Sequence, residues 1–225
     1  SMSLRPDWNM IRNIMSVGIP NGVENSLFQL GKILMLSLIT SFGTASIAAN
    51  AIGNNFAQYQ ILGGMSVGIA MVTVVSQCVG AGDYAKVRAY TRKLMKLSYL
   101  FIIIMVGITL ALMPLILRLY NVSAEADGYA VQCILLHSAM ACVLWPMAFT
   151  LPNTLRAAGD ARYTMLVSVF VMWAVRIGVG YLLGGYFGLG LLGVWIAMVL
   201  DWAVRIPFFW LRYHGHRWEH MSLVR

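Results

Sequence analysis

Of the 225 residues in this chain, 60% are hydrophobic and only 11% are charged. Soluble globular domains carry about 25% charged residues, so this composition excludes an ordinary soluble enzyme or a nucleic-acid-binding domain. The formal net charge is +8, but membrane topology explains the spacing of the basic residues better than a nucleic-acid partner does. The three cysteines, Cys78, Cys133 and Cys142, show no metal-binding or redox spacing.

Six apolar segments follow one another along the chain, and each exceeds the roughly 20 residues that a helix needs to cross a bilayer. The segments are 8–40, 45–80, 94–118, 128–152, 163–187 and 189–211. The second segment is long, but its Gly63-Gly64 pair has no polar loop residues beside it and cannot turn the chain at a membrane surface. We therefore predict an all-α membrane protein with six transmembrane helices.

The ends of the chain are predicted to lie outside this six-span region, which occupies residues 8–213. Residues 1–7 form a cytoplasmic lead-in in this interpretation, and its Ser1-Met2 pair resembles the remnant of a cloning site. Residues 214–225 form a basic cytoplasmic tail.

Basic residues indicate how the helices are oriented. Twelve of the 16 Lys and Arg residues lie before or at the start of the first span, after the sixth span, or in or at the edge of the connections after the second and fourth spans. Cytoplasmic connections of membrane proteins are enriched in Lys and Arg. The sequence therefore predicts that both termini are cytoplasmic, in a multi-pass protein of the inner (plasma) membrane.

The first span carries polar residues that a lipid-facing helix would not tolerate. At 3.6 residues per turn, Glu24, Asn25, Gln29 and Lys32 fall within one arc of about 140°. Such a stripe is typical of a helix that lines a polar cavity inside a bundle. Glu24 is the strongest functional candidate, because a desolvated carboxylate suits reversible binding of a proton or cation.

The second span repeats this pattern with Asn50, Asn54 and Gln58 on one arc. These amides are assigned to the same cavity for coupling ion and substrate. An alternative interpretation is that the amides only form hydrogen bonds between helices, which contribute about 0.6 kcal/mol each in membranes.

Asp201 and Arg205 in the sixth span are four residues apart, a spacing that brings both side chains to one face of a helix. We predict a structural ion pair, because two paired charges are less costly in a membrane than one isolated charge. Arg176 in the fifth span is a second base for the same acid. No metal spacing, phosphate loop or nucleophile–base pair is present, which argues against an enzyme.

Four sequence blocks resemble one family of transporters. They are GIPNGVENSLFQLGK, VSQCVGAGD, LPNTLRAAGDARYTM and GLLGVWIAMVLDWAVR, and together they are similar to the carboxy-terminal half of the multidrug and toxic compound extrusion (MATE) transporters. The resemblance implies one six-helix lobe of a twelve-helix antiporter that exports organic cations and other amphipathic drugs. It also implies that Glu24 takes part in coupling to Na⁺ or H⁺, with no other cofactor.

The same resemblance implies the partners of the chain. They would be membrane lipid, a missing amino-terminal six-helix lobe and small amphipathic or cationic substrates, with no nucleic acid. Some members carry a further acid on the fourth helix of this lobe, where this chain has ACVLWPMAF. Two alternatives stay open: a flippase for lipid-linked saccharides, which would need a more cationic cavity, and a truncated, non-transporting helper subunit.

Overall fold

The computed structural model describes residues 8–215 and 217–220, and all the regular elements in these ranges are helical. Six helices run in chain order: α1 Trp8–Thr40, α2 Thr44–Gly80, α3 Tyr84–Tyr120, α4 Ala124–Ala157, α5 Ala161–Tyr186 and α6 Gly190–His214. A short 3₁₀ turn, Arg217–His220, follows α6. The Ser1-Met2 lead-in and the end of the predicted tail lie outside the described residues. The all-α class predicted from the sequence is confirmed.

Five of the helices, α2 to α6, are long and apolar enough to cross a membrane. Helix α1 has 33 residues and is long enough, but Asn, Glu, Gln and Lys side chains interrupt its apolar sequence and it is not among these five. Helix α2 runs without interruption through Gly63 and Gly64, as one segment. The chain is therefore a multi-pass membrane protein.

Short polar connections fix where the helices begin. Asp83 precedes α3, and its carboxylate accepts a hydrogen bond from the Lys86 backbone N–H at 3.0 Å. That bond holds the pKa of Asp83 below its usual range. Ser123 caps α4 in the same way, by accepting a hydrogen bond from the Ala126 N–H.

Helix α3 starts at Tyr84, ten residues before the predicted membrane segment 94–118. Its first turns therefore project beyond that segment.

Two helices change their winding near the middle of the bundle. Helix α4 widens into a π-helical turn at Pro146–Thr150, where proline lacks the N–H that a regular helix would use. Helix α5 is π-helical over Met172–Val179 and again over Tyr181–Tyr186. Such turns often occur at functional sites. They place Phe149 of α4 and Arg176 of α5 beside the central space of the bundle.

Each helix packs mainly against some of the others. Helix α2 packs mainly against α3 and α4, α1 packs mainly against α5, and α6 contacts α4 and α5. Hydroxyl pairs join α3 to α4, with Ser98 and Thr150 at 3.0 Å and Thr91 and Thr154 at 3.0 Å. In a membrane, such hydrogen bonds help to hold helices together. Lipid tails are as apolar as the side chains, so the hydrophobic effect does not drive the helices to associate.

The turn after α6 folds back against the bundle. Trp218 is fully buried, stacks on Tyr213 with ring centroids 5.6 Å apart and donates its indole N–H to the Tyr213 carbonyl at 2.7 Å. Its ring also meets Tyr84 of α3 edge-on. Glu219 forms an ion pair with Arg88 of α3. This segment, which we call the Trp218 clasp, connects the end of α6 to the start of α3.

Helices α5 and α6 approach so closely that only glycine fits at one position. A Cβ on Gly193 would lie 2.7 Å from the backbone nitrogen of Gly184 and 2.7 Å from the backbone carbonyl carbon of Leu183. We expect Gly193→Ala to cost about 1–3 kcal/mol, because the obstacle is backbone and cannot rotate away. The measurement is the thermal unfolding midpoint of the purified protein in detergent.

Gly107→Ala in α3 is the matched control, since a Cβ there meets nothing within 4 Å. Alanine is favoured over glycine inside a helix, so Gly107→Ala is expected to leave the midpoint unchanged or raise it. Equal midpoints for the two variants would contradict the close approach of α5 and α6.

Candidate functional site

A cavity of about 430 Å³ lies between α1, α2, α4, α5 and α6. We call it the central cavity. Its lining includes Glu24, Asn25, Phe28 and Lys32 from α1, Asn54 and Gln58 from α2, His137, Trp145, Phe149, Asn153 and Arg156 from α4, Arg176 from α5, and Met198, Trp202 and Arg205 from α6. Its volume is within the range of about 300–1,000 Å³ that is usual for small-molecule sites.

The polar stripes of α1 and α2 meet at this cavity. Of the seven residues assigned to it from the sequence, five line it: Glu24, Asn25, Lys32, Asn54 and Gln58. Asn50 lines a second cavity of about 350 Å³ that shares Lys32, Asn54 and Gln58 with the first, and its side-chain oxygen accepts from the Trp195 indole N–H at 3.2 Å. Gln29 is exposed on α1 and is not among the lining residues of either cavity.

Glu24 has a specific partner in the structure. Both of its carboxylate oxygens accept from Nη2 of Arg156, at 2.6 and 2.8 Å, across the gap between α1 and α4. Arg156 also donates from Nη1 to Asn153 and from Nε to Thr164, at 3.2 and 3.3 Å. The Glu24 side chain is 14% exposed, so the pair is largely shielded but still borders the cavity.

Sequence reasoning did not identify Arg156 as a site residue, because it fell in the polar connection between the fourth and fifth predicted spans. Helix α4 instead continues to Ala157, which carries Arg156 on its last turn and brings it to α1. The available signal was the LRAAGD segment, which belongs to one of the four blocks that resemble the MATE family.

Asp201 and Arg205 form an ion pair inside α6. Oδ1 of Asp201 accepts from both Nε and Nη2 of Arg205, at 3.1 and 2.9 Å, and both side chains are almost fully buried. The Arg205 guanidinium also lies over the Phe149 ring, 5.3 Å from its centroid. Oδ2 of Asp201 has no hydrogen-bond partner among the described residues. Arg205 lines the central cavity, and Asp201 lies buried behind it.

His137 completes a buried polar network behind the cavity. Its Nδ1 is 2.6 Å from Oε1 of Gln60, whose amide nitrogen donates to Ser138 and Thr109 at 2.8 and 3.1 Å. The imidazole also meets the rings of Trp195 and Trp202 edge-on. These contacts are those of a residue that packs helices together, although the ring also lines the cavity.

Aromatic rings form much of the remaining wall. Trp145 and Phe149 stack with centroids 5.3 Å apart, and Phe149 meets Trp202 edge-on at 6.0 Å. Within residues 8–215 and 217–220, no three His, Cys, Asp or Glu side chains lie close enough together to hold a metal ion. The cavity therefore combines flat apolar surfaces with a small number of charged groups.

Comparison with known families places this architecture. The model of the MatE family matches residues 20–182. The chain belongs to the MatE family. This result confirms the resemblance to MATE transporters drawn from the four sequence blocks.

Curated relatives of this MatE chain are named for multidrug resistance. A probable multidrug resistance protein NorM from Thermotoga maritima is 26% identical over 97% of this chain and 47% of its own length. The probable multidrug resistance protein YoeA from Bacillus subtilis is 24% identical over 99% of this chain and 48% of its own length. The chain thus spans about half the length of the curated relatives it matches.

Solved structures share the fold of this MatE chain. A MATE protein in the straight conformation superposes with a TM-score of 0.85 at 17% identity, over 97% of this chain and 50% of the other. A MOP superfamily transporter from Pyrococcus furiosus also gives 0.85, at 18% identity, over 97% of this chain and 50% of the other. The six helices therefore correspond to one half-length lobe of these folds.

Proposed function

We propose that this chain is the carboxy-terminal lobe of a multidrug efflux secondary antiporter, which exchanges organic cations and other amphipathic drugs for Na⁺ or H⁺. The observation that carries the proposal is the central cavity, where a single carboxylate, Glu24, is paired across two helices with Arg156. An antiporter needs a group whose state differs between ion-bound and drug-bound forms. A paired carboxylate at the cavity wall supplies one, because a cation or proton competes with Arg156 for it.

The proposed partners follow from the half-length match. A second six-helix lobe would face the open side of the central cavity, since the relatives are about twice as long. Lipid would cover the outward apolar side chains, such as Leu100, Ile103 and Phe170, which are exposed in the lobe alone. The role is transport and not catalysis.

We place the protein in the inner (plasma) membrane with both termini cytoplasmic, on the distribution of Lys and Arg. Single cysteines tested with a membrane-impermeant reagent report this orientation. A cysteine replacing Lys86 should react only from the cytoplasmic side, and one replacing Glu125 only from the opposite side. The reverse pattern would contradict the orientation.

The test of the proposed function is transport by the complete natural protein that contains this lobe, reconstituted in lipid vesicles. A cationic dye should accumulate against its gradient when a Na⁺ or a pH gradient is imposed, and accumulation should stop when an ionophore dissipates that gradient. The effective gradient identifies the coupling ion. Dye movement that is independent of both gradients would contradict antiport.

A saccharide-lipid flippase is the second candidate, because the central cavity contains four basic residues. They are Lys32, Arg156, Arg176 and Arg205. The aromatic wall of Trp145, Phe149 and Trp202 offers a flat apolar surface that suits an aromatic drug. Transport of a lipid-linked saccharide without any ion gradient would favour the flippase.

A further inference from the structure

We propose that Lys32 and Arg176 form an anion-binding subsite of the central cavity, which takes the carboxylate of an amphipathic aromatic acid. This inference deepens the proposed function and rests on it for the statement that the cavity receives the drug. Within the range of amphipathic drugs, it selects those that carry an acidic group. The subsite lies in the same cavity as the Glu24–Arg156 pair, to which the proposed function assigns ion coupling.

The charges around the cavity do not balance. Arg156 is paired with Glu24, and Arg205 is paired with Asp201. Lys32 and Arg176 line the same cavity, but neither forms an ion pair or hydrogen bond with a carboxylate in residues 8–215 or 217–220. An unpaired base within a membrane protein is costly, and such residues commonly mark a substrate or ion pathway.

Both of these cations lie close to one aromatic ring. Nζ of Lys32 lies 5.2 Å and Cζ of Arg176 lies 5.5 Å from the centroid of the Phe28 ring. Attraction to a ring stabilises a cation but leaves its charge and its hydrogen-bond donors available. The two like charges also repel each other. A carboxylate bound by both would remove this repulsion and accept hydrogen bonds from both.

Asp201 is not the carboxylate that binds Lys32 and Arg176. It attracts Arg176 electrostatically, but Arg205 repels Arg176 at the same time. Oδ1 of Asp201 accepts two hydrogen bonds from Arg205, and Oδ2 accepts none from Arg176 or any other described residue. The group of Arg176, Asp201 and Arg205 therefore keeps one net positive charge, and Lys32 adds a second.

The surroundings of the two bases fit the rest of such a ligand. Asn54 and Gln58 line both cavities together with Lys32 and Arg176, and their amides can donate further hydrogen bonds to an anion. The stacked pair Trp145 and Phe149 lines the central cavity and offers a flat apolar surface to an aromatic body. A cavity of about 430 Å³ accommodates a two-ring molecule but not a whole phospholipid.

The test measures equilibrium binding of three naphthalene probes of similar shape to the complete natural protein in neutral detergent. The probes are 2-naphthoate, 2-naphthamide and 2-naphthamidinium. We expect 2-naphthoate to bind about tenfold or more tightly than the neutral 2-naphthamide. Lys32→Gln should weaken 2-naphthoate by about three- to tenfold and leave 2-naphthamide unchanged, because only the charge pairing is removed.

The matched control is Arg118→Gln, which removes one basic charge near the end of α3, away from both cavities. It should leave the affinities of all three probes unchanged. Arg176→Gln is expected to weaken 2-naphthoate at least as much as Lys32→Gln does. Lys32 is exposed in the lobe, so its variant provides the test even if Arg176→Gln does not fold.

Three results would overturn the inference: equal affinity for the three probes, unchanged 2-naphthoate binding in Lys32→Gln, or an equal loss in Arg118→Gln. A fourth arm uses farnesyl diphosphate as competitor. If it bound more tightly than 2-naphthoate and lost affinity in Lys32→Gln, the anion would be a lipid diphosphate and the carboxylate assignment would be wrong. Failure of ion-driven transport would refute the proposed function but leave these binding affinities unchanged, so the two failures are distinguishable.

Discussion

Glu24→Gln in the complete protein is expected to abolish ion-driven efflux while expression stays normal and some drug binding remains. Glutamine is nearly the same size as glutamate, so the packing of α1 should be preserved. The variant removes the group that changes its charge state, and ion and drug can then no longer favour different states of one site. In vesicles with an imposed ion gradient, we expect the initial efflux rate to fall by about tenfold or more.

Glu125→Gln is the matched control for this experiment, because Glu125 is an exposed acid in the first turn of α4 and does not line the cavity. It should transport at the wild-type rate. Wild-type efflux by Glu24→Gln, with the same ion dependence, would show that coupling resides elsewhere in the complete protein.

The Glu24–Arg156 ion pair leads to a second prediction for the same site. Arg156→Gln leaves Glu24 without its competing guanidinium, so the coupling ion should gain access to the carboxylate more easily. We expect transport in this variant to reach half its maximal rate at a lower concentration of the coupling ion. An unchanged ion dependence would mean that Arg156 does not compete with the ion.

Arg205→Met should cause the largest loss of stability among the variants considered. Asp201 has no exposed surface and would lose both of the hydrogen bonds that its Oδ1 accepts. Leaving one member of a buried ion pair uncompensated typically costs about 3–5 kcal/mol. Arg176 still attracts Asp201, which places the expectation near the lower end of that range. The yield of monodisperse protein in detergent and its unfolding midpoint report the loss.

Combining Arg205→Met with Asp201→Leu should restore much of the lost stability, because two apolar side chains need no partner. Arg118→Met controls for the loss of a single basic residue and should have little effect. A double variant no more stable than Arg205→Met would contradict a simple structural pair. If the double variant folded normally but transported nothing, the pair would have a functional role.

The fold could be predicted because its signals are local. Apolar runs and the polar residues between them show where helices begin and end, and the short connections at Gly43, Asp83 and Asp160 match turn residues in the sequence. The stripe that contains Glu24 and Lys32 could be assigned to a cavity by helical periodicity alone. The functional assignment of that stripe stays a prediction.

The partners of these residues could not be predicted, because they depend on how distant helices pack. Glu24 and Arg156 are 132 residues apart, and no local pattern connects them. The contrast between the two paired and the two unpaired bases of the cavity likewise appears only when α1, α4, α5 and α6 are brought together. Trp218 lay in a segment predicted as a polar tail, where a single aromatic residue gave no signal of burial.

The Trp218 clasp has a mechanical consequence. It links the end of α6 to the start of α3 through Trp218 and the Glu219–Arg88 pair. Arg212 of α6 adds a link to the α4–α5 connection, through a 2.6 Å ion pair with Asp160. Because these helix ends are held together, we expect them to move as one unit. A small displacement there should then become a larger one at the far ends of the same helices.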